Sequence, residues 1–285
     1  MNFYIIIPAH NEEDTIGLAL ESLVNQTLQP KQVVVVNDNS SDKTPQIISK
    51  YTKKYDCVSS INITSSNEHI PGAKVINAFY KGFEILDDNY DIICKYDADI
   101  IFPNNYLESI SKIFESDKKI GIAGGIPFVK KKDKWVFEKV ASKNHVRGPI
   151  KSYRKKCFED IGGLKKSVGW DSIDVLLAKY YGWKVQSNKD LHVKHLKPTG
   201  KTYSKNTKHL RGKALYKMRF GLTLTIIASL KSAFNKKSVL YFFYSIIGYF
   251  KAKREKQIFL VDKEQGKFIR QLHWKNIQKK CSLFN

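Results

Sequence analysis

The chain has 285 residues, of which 42% are hydrophobic, 12% aromatic and 27% charged, a composition that supports a sizeable core and excludes the fibrous and disordered classes. The net charge is +22, but residues 201–285 carry 20 basic and 3 acidic residues (+17), whereas residues 1–200 carry 29 and 24 (+5). This uneven distribution excludes the uniform basic coat of a nucleic-acid-packaging protein. No nucleic-acid recognition module is seen either, so we expect no nucleic-acid partner.

The chain begins MNFYIIIPAHNEE, and this start predicts a first strand. Only about six apolar residues precede Pro8, and no basic residue comes before them, so the segment lacks the features of a signal peptide. The four cysteines have neither the spacing of a zinc site nor that of a disulfide framework. We therefore expect reduced thiols and a cytoplasmic location.

Short apolar or β-branched runs predict four strands, at residues 3–7, 32–37, 58–63 and 91–97. Helical periodicity predicts helices at residues 14–26, 44–54, 73–86 and 104–116. Strands and helices thus alternate, and the valine run at 33–36 needs apolar cover on both of its sides. The expected fold class is α/β, with a mostly parallel, Rossmann-like sheet and helices on both faces.

Beyond these elements the pattern is less regular. The run IGIAGG predicts a further strand from residue 120, and the basic stretch 128–150 is expected to be irregular. Residues 171–181 are predicted to form a helix. The composition changes near residue 200. We therefore predict two parts, a catalytic domain at 1–200 and a basic, helical region at 201–285.

Polar residues follow three of the predicted strands, and ligands bind at such carboxyl ends in open α/β sheets. The first strand ends in Pro8-Ala9-His10-Asn11-Glu12-Glu13, the second in Asn37-Asp38-Asn39-Ser40, and the fourth in Asp97-Ala98-Asp99. Neither a G-x-G-x-x-G nor a P-loop motif is present. A dinucleotide-binding site and a P-loop nucleotide site are therefore not expected.

Asp97 and Asp99 carry the clearest chemical signal. Alternate residues of an extended strand face the same way, so we expect both carboxylates on one side. Two such carboxylates suit Mg²⁺ or Mn²⁺, whose remaining ligands are water and substrate phosphates. The alternative is a turn in which an Asp caps the following helix.

Four segments, IIIPAHNEE, VVVNDNSSDKT, KYDADI and GWDSID, occur in this order within residues 3–200. Together they resemble the motifs of the family 2 glycosyltransferases, which are inverting enzymes of the GT-A fold. The resemblance implies a hexosyltransferase that uses Mn²⁺ or Mg²⁺ and a nucleotide-diphosphate sugar. The expected donor is a UDP-sugar. It also implies a carbohydrate or lipid-linked acceptor and a role in cell-surface polysaccharide synthesis.

The resemblance assigns roles to the residues at the strand ends. Asp38 contacts the base, Asp97 and Asp99 hold the ribose and the metal, and the nucleoside pocket is lined by Pro8, Ala9, Asn11 and Glu12. The second motif often has paired Asp residues, whereas this chain has Asn37 at the first position. Glu12 has a second interpretation, as an acid in the first turn of the helix that we predict near residue 14.

In the fourth motif the resemblance makes Asp171 the general base, although Trp170 stands where many relatives have Glu. A carboxylate within hydrogen-bond reach can take the proton of an acceptor hydroxyl as the donor bond breaks. Alternatively, Asp171 and Asp174 serve only as charges at the start of a helix.

His195 is the expected third metal ligand, and His192 competes with it for that role. A lone histidine is more often a surface residue or a satisfied core residue. Lys197 stands where many similar sequences have Arg; it keeps the charge but cannot make the bidentate contact. Contacts to the diphosphate or the acceptor are expected from three basic residues, Lys74, Arg147 and Arg154, each of which also has a surface interpretation.

The basic region contains two apolar blocks, at residues 221–230 and 239–250, with lysines between and after them. Neither reaches the roughly 18 apolar residues of a spanning helix. The pattern is typical of a monotopic element on an anionic membrane, which places the protein peripherally on the inner face of the cell membrane. The alternative is a pair of helices packed on the catalytic domain or on a second subunit.

Two other functions stay open at this level. A nucleotidyltransferase also uses an acidic metal pair, but it would carry a Gly- and Arg-rich loop where this chain has AHNEE. A non-catalytic, membrane-bound sugar-nucleotide binding protein would not need a base, whereas Asp171 is present beside an intact Asp99 motif.

Overall fold

The computed structural model describes residues 1–65, 72–138, 142–198 and 209–282. Within these ranges the strands are β1 (Phe3–Ala9), β2 (Gln32–Asp38), β3 (Val58–Ile63), β4 (Ile92–Tyr96), β5 (Ile100–Ile101), β6 (Ile120–Lys131), β7 (Lys134–Phe137), β8 (Ile150–Arg154) and β9 (Lys184–His195). The helices are α1 (Ile16–Val24), α2 (Thr44–Lys54), α3 (Ala73–Phe83), α4 (Tyr106–Ser116), α5 (Lys155–Asp160), α6 (Trp170–Tyr180), α7 (Leu210–Lys217), α8 (Leu222–Asn235), α9 (Val239–Arg254) and α10 (Lys263–Cys281).

The strands form one sheet in the order β3-β2-β1-β4-β8-β6-β9-β5, and β7 pairs with β6. β1 pairs in parallel with β2 and β4, and β2 with β3, as a chain of helical crossovers requires. β8 then runs antiparallel to both β4 and β6, whereas β9 runs parallel to β6. The predicted α/β fold is confirmed, with parallel pairing in its first half and mixed pairing in its second.

Helices cover both faces of the sheet, which explains why β1 and the valine run of β2 are apolar and buried. Phe3, Ile5 and Ile7 of β1 join a core with α1, α2 and α4, while Tyr4 and Ile6 join a second core with α3, α5 and α6. Each of these five side chains is at most 1% exposed. Complete burial of one such side chain stabilises the fold by roughly 1.5–3 kcal/mol.

The stretch 128–150, which we expected to be irregular, begins with a β-hairpin. β6 continues to Lys131, which pairs with Lys134 at the start of β7. Lys132 in the turn has a φ of 52°, the left-handed conformation that short hairpin turns use. The expectation was wrong for this part because the charged run KKKDK at 130–134 is the solvent-exposed tip of a regular hairpin.

The C-terminal helices are joined to the rest of the protein through α7 and α10. Ala214 of α7 and Met218, which follows the helix, lie beside Gly169, and Lys217 Nζ donates a 2.7 Å hydrogen bond to Ser167. The ring of Phe268 on α10 packs edge to face on the ring of Tyr180 on α6, with 5.4 Å between the ring centroids. The predicted boundary near residue 200 lies outside the described residues. Across the described ranges, no helix has both the length and the apolarity needed to cross a membrane.

Candidate active site

The carboxyl ends of β1, β2 and β4 lie side by side at one edge of the sheet. Ala9 pairs with Asn37 across β1 and β2, and Ile6 pairs with Lys95 across β1 and β4. The ends of these strands and the loops that follow them contain six of the seven residues that we predicted to bind a donor, all except Lys74. The parallel order of the strands therefore brings three distant segments of the chain to one place.

The loop after β1 is fastened to the loop after β2. Asn11 has a φ of 54°, and its Oδ1 accepts the N–H of Ser41 at 2.8 Å. Its own N–H donates to Ser40 Oγ at 3.0 Å. Of the preceding predicted residues, Ala9 is 3% exposed and Pro8 is half-buried. Asn11 therefore shapes this edge of the site through the backbone that it holds.

Asp38 is buried at the end of β2, where it organises the neighbouring chain. Its Oδ1 accepts the N–H of Ser65 at 2.9 Å, and its carbonyl oxygen lies 2.6 Å from Nδ1 of His10. The amide of Asn37 donates to Oδ1 of Asn62 at 2.7 Å. The residue that departs from the family pattern thus has a structural partner on β3.

Glu12 lies in the loop after β1 and is bonded to the segment after β9. Its Oε2 accepts hydrogen bonds from Thr15 at 2.6 Å and from Lys197 Nζ at 2.7 Å. α1 begins only at Ile16, so Glu12 precedes the helix and is not an acid of its first turn. The ion pair with Lys197 links the loop after β1 to the segment after β9 across 185 residues.

Asp97 and Asp99 face different partners. Asp97 forms an ion pair with the buried Lys95, whereas Oδ2 of Asp99 lies 3.2 Å from Nε2 of His195. We expected both carboxylates on one side of an extended strand, and the extended strand was wrong here because β4 ends at Tyr96. Residues 97–99 form a turn, in which the alternation of strand side chains does not apply. Among the described residues, no three potential ligands are grouped closely enough for a metal.

His195 is the histidine that faces this acidic turn. Its Nδ1 lies 3.0 Å from Oε2 of Glu138, so the ring connects Glu138 with Asp99. Burial lowers the pKa of His195, but hydrogen bonds to the two carboxylates outweigh burial and raise the pKa to about 9. His192 is exposed and packs on Phe128 at 4.1 Å instead. Strand alternation along β9 separates the two histidines, because a separation of three positions places their side chains on opposite faces.

The two acids of the predicted base motif differ in burial and in their hydrogen-bond partners. Asp174 is 1% exposed, forms a 2.6 Å ion pair with Lys151 and accepts a hydrogen bond from Tyr153. Asp171 is half-buried, and only its carbonyl oxygen is bound, by Lys151 Nζ at 2.5 Å. Within the described residues no hydrogen bond reaches the Asp171 carboxylate. Asp174 is therefore committed to the fold, while Asp171 is available to a substrate.

Trp170 connects the acidic turn with Asp171. Its ring lies 5.2 Å from Lys95 Nζ and 5.6 Å from Lys151 Nζ, so one indole contacts the cations that pair with Asp97 and Asp174. A Cβ on Gly148 would lie 3.1 Å from the same indole and 3.3 Å from the Cβ of Asp171. The next residue after Gly148 accepts the N–H of Asp97 at 3.0 Å. The ends of β4 and α6 therefore meet around this loop.

The three basic residues considered for diphosphate contacts lie in different places. Lys74 is in the first turn of α3, whose preceding residue Gly72 contacts the loop that leads to α6. Arg147 is buried and donates to Glu138 at 3.0 Å. Arg154 donates to backbone carbonyls and pairs with Ile92 at the start of β4. Arg154 is thus at the opposite end of the strand from Asp97, which is incompatible with the contact that we expected.

Sequence reasoning missed the buried cations and one acid of this site. Lys95 and Lys151 are 2% and 0% exposed, and they are register partners on β4 and β8. A signal existed for Lys95, which interrupts an apolar strand two residues before its partner Asp97, whereas the carboxylate partner of Lys151 lies 23 residues away. Glu138 and the half-buried His145 beside Asp171 gave no such signal. Burial, and then the charge of Lys151, lower the pKa of His145.

The comparison with known families agrees with these motifs. The model described as "Glycosyl transferase family 2" matches residues 4–163. "Probable glycosyltransferase YdaM" of Bacillus subtilis is 40% identical over 98 residues, which are 33% of this chain and 22% of that protein. "Poly(ribitol-phosphate) beta-glucosyltransferase" of Bacillus spizizenii is 43% identical over 76 residues, 26% of this chain and 12% of that protein. The chain thus spans less than a quarter of either relative.

Two solved structures share the fold. The 1–349 fragment of S. aureus TarS in complex with UDP-GlcNAc has a TM-score of 0.57 at 20% identity, covering 77% of this chain and 65% of that one. The mannosyltransferase PcManGT of Pyrobaculum calidifontis, in complex with GDP-Man and Mn²⁺, has a TM-score of 0.56 at 16% identity. That match covers 75% of this chain and 62% of the other. At these identities the likeness concerns the fold alone.

Proposed function

The chain belongs to glycosyl transferase family 2, and on this premise we propose that it transfers a hexosyl group from a nucleotide-diphosphate sugar to a carbohydrate or lipid-linked acceptor. The main support for the proposal is that the carboxylates of the two acids in α6 differ in their hydrogen bonding. Asp174 is closed off by Lys151 and Tyr153, whereas the Asp171 carboxylate accepts no hydrogen bond from the described residues. One carboxylate beside the acidic turn is thus left to act on a substrate.

Asp171 is the proposed general base. A sugar hydroxyl is a weak nucleophile, and a carboxylate in hydrogen-bond reach takes its proton as the new bond forms. The hydrogen bond from Lys151 Nζ to the Asp171 carbonyl holds the backbone of the base in place. Attack from the side opposite the nucleotide then inverts the anomeric carbon.

Asp99 and His195 would hold a Mn²⁺ or Mg²⁺ ion, and Asp97 is the further candidate ligand. Carboxylate oxygen and imidazole nitrogen are donors that Mn²⁺ accepts, and Asp99 Oδ2 already lies 3.2 Å from His195 Nε2. When bound, the ion offsets the charge of the departing diphosphate. Asp97 would first have to give up its ion pair with Lys95, or it would contact the ribose and keep that pair.

The proposed donor is a UDP-sugar. The residues proposed to bind it are Pro8, Ala9, Asn11, Glu12, Asp38, Lys74 and Asp97. The adjacent ends of β1, β2 and β4 support this set, because three of its segments meet there. A related fold was solved with UDP-GlcNAc, but another was solved with GDP-Man, so the nucleotide must be tested.

We propose a role in cell-surface polysaccharide synthesis at the cytoplasmic face of the membrane. Support comes from the relative named for glucosyl transfer to poly(ribitol-phosphate), although this chain spans only 12% of it. The basic region at 201–285 supports the membrane location. Family membership argues against the nucleotidyltransferase and the non-catalytic binding protein considered above.

Nucleotide release from a panel of UDP- and GDP-sugars, with Mn²⁺ and with or without oligosaccharide acceptors, tests the proposal. We expect one donor to be turned over, only with metal, and faster with a suitable acceptor. The Asp171→Asn variant should bind that donor but release little nucleotide. Release of nucleotide at the wild-type rate by this variant would contradict the assignment of the base.

A further inference from the structure

The hairpin formed by α8 and α9 presents a row of apolar side chains to solvent on each helix. On α8 the row is Leu222, Ile226, Leu230 and Phe234, which are 43%, 36%, 53% and 85% exposed. A spacing of four residues keeps these side chains on one side of the helix. Single exposed apolar residues are common on protein surfaces, but a contiguous row marks an interaction site.

The row on α9 consists of Leu240, Phe243, Ile247 and Phe250, which are between 46% and 63% exposed. Their spacing of three, four and three residues again describes one helix face. We call the two rows together the hairpin face. It is apolar along both helices, so its exposure is not explained by one misplaced side chain.

The hairpin is held together from within and packs on α7. Ser229 of α8 and Ser245 of α9 are fully buried and hydrogen bonded to each other at 2.7 Å. α7 crosses α9 so closely that a Cβ on Gly212 would lie 1.7 Å from the Ser245 carbonyl oxygen. The hairpin is thus anchored through its inner side, and the hairpin face is directed away from this anchor.

The charges around the hairpin face are almost all positive. Residues 221–260 contain seven basic residues and one acidic residue. Lys236 and Lys237 are exposed at the turn between the helices, next to Phe234 and Val239, which are 85% and 72% exposed. Apolar side chains at the tip are therefore bordered by cations, an arrangement that complements an anionic, amphipathic surface.

We propose that the hairpin face inserts into the interface of an anionic phospholipid leaflet. Interfacial helices bury an apolar face at the headgroup boundary while lysines contact anionic headgroups, and the hairpin offers both features. Lying in the interface requires no spanning helix, in accord with the lengths of the described helices. A second copy of this chain is disfavoured as the occupant because it would bring like charges together. The inference deepens the proposed membrane location and is independent of the sugar transferred.

Flotation with vesicles tests this inference on the full chain. Vesicles of phosphatidylglycerol and phosphatidylcholine should bind the protein at low salt, and vesicles of phosphatidylcholine alone should bind much less. High salt should release only part of the protein, because salt screens charge but not apolar insertion. The triple variant Phe234→Gln/Leu240→Gln/Phe243→Gln should lose binding by on the order of tenfold or more.

Two matched variants complete the experiment. Leu18→Gln/Ile85→Gln removes apolar side chains that are 51% and 47% exposed on the catalytic part, and vesicle binding should not change. Lys236→Gln/Lys237→Gln should weaken binding to anionic vesicles while leaving the weak binding to neutral ones. Nucleotide release with a soluble acceptor should be unchanged in all three variants, so failure of membrane binding is distinguishable from failure of the proposed activity.

Three outcomes would overturn the inference. The full chain would not float with anionic vesicles at low salt, or the triple variant would float like wild type while circular dichroism shows a folded protein. The third is a dimer in sedimentation analysis that the triple variant converts to a monomer without any loss of lipid binding. That result would assign the hairpin face to a second copy of the chain.

Discussion

Lys151 Nζ lies 2.6 Å from a carboxylate oxygen of Asp174, and both side chains are completely buried. Lys151 belongs to β8 and Asp174 to α6, so the pair joins the sheet to the helix whose first turn contains the proposed base. The same ammonium donates to the Asp171 carbonyl. The backbone of Asp171 is therefore held by the Lys151–Asp174 ion pair, although the Asp171 side chain takes no part in that pair.

We expect substitution of either partner to destabilise the fold strongly. Lys151→Met leaves the Asp174 charge buried and unpaired, and the loss in the free energy of unfolding should be about 3–5 kcal/mol. Lys151→Met/Asp174→Leu removes both charges and should recover much of that loss. Urea unfolding followed by circular dichroism measures both variants. Equal stability of the single variant and wild type would show that the pair is not formed.

Asp171→Asn should separate chemistry from binding. The amide keeps the shape of the side chain but cannot take a proton, so the turnover rate should fall roughly 10²- to 10⁴-fold. Donor affinity, measured by calorimetry, should hardly change. Ser172→Ala, at the exposed neighbouring position, is the matched control and should retain wild-type turnover. If turnover falls equally in the control, the loss reflects the helix end and not the base.

Asp99→Asn should abolish the metal dependence of donor binding. The substitution removes one proposed ligand and leaves the diphosphate charge uncompensated, so UDP affinity in Mn²⁺ should weaken by at least about tenfold. Calorimetry with Mn²⁺ and with a chelator gives the comparison. Asp88→Asn changes a carboxylate that is 88% exposed and should leave both affinities unaltered. Wild-type affinity in the Asp99 variant, with metal dependence preserved, would remove Asp99 from the site.

Gly212→Ala should destabilise the crossing of α7 and α9. The added Cβ would lie 1.7 Å from the Ser245 carbonyl oxygen, which is backbone and cannot move aside alone. The expected cost is about 1–3 kcal/mol, as for other overpacked sites. Gly17→Ala in α1 is the matched control, since its Cβ would meet Ile47 at an ordinary 3.4 Å and should stabilise by about 0.5–1 kcal/mol. Thermal unfolding that moves both variants alike would contradict the close crossing.

Much of the fold follows from local patterns. The apolar runs at residues 3–7 and 32–37 coincide with β1 and β2 because a strand covered on both faces must be apolar throughout. The helix predicted at 44–54 matches α2, since its periodicity is a property of one continuous segment. The hairpin of β6 and β7 was not foreseen, because its charged tip resembles a loop.

The candidate site could be foreseen only in part. Strand ends carrying Asp38, Asp97 and Asp99 are visible in the sequence, because turn-forming and acidic residues follow apolar runs. Which histidine faces Asp99 is not visible, since it depends on the register by which His195 pairs with Ile100. The burial of Lys95 and the pairing of Lys151 with Asp174 are likewise not visible, since they depend on the packing of β4, β8 and α6 against one another.

The sequence by itself thus determined the α/β class, the family motifs and the positive charge of the last 85 residues, since composition, periodicity and motif order are local properties. The tertiary structure alone decided that Asp174 is buried in an ion pair, while the Asp171 carboxylate accepts no hydrogen bond from the described residues. It also decided that α7 and α10 pack against the rest of the protein, while the hairpin face of α8 and α9 stays exposed. These outcomes depend on contacts between segments far apart in the chain. Such contacts are set by strand register and helix packing, which no local pattern encodes.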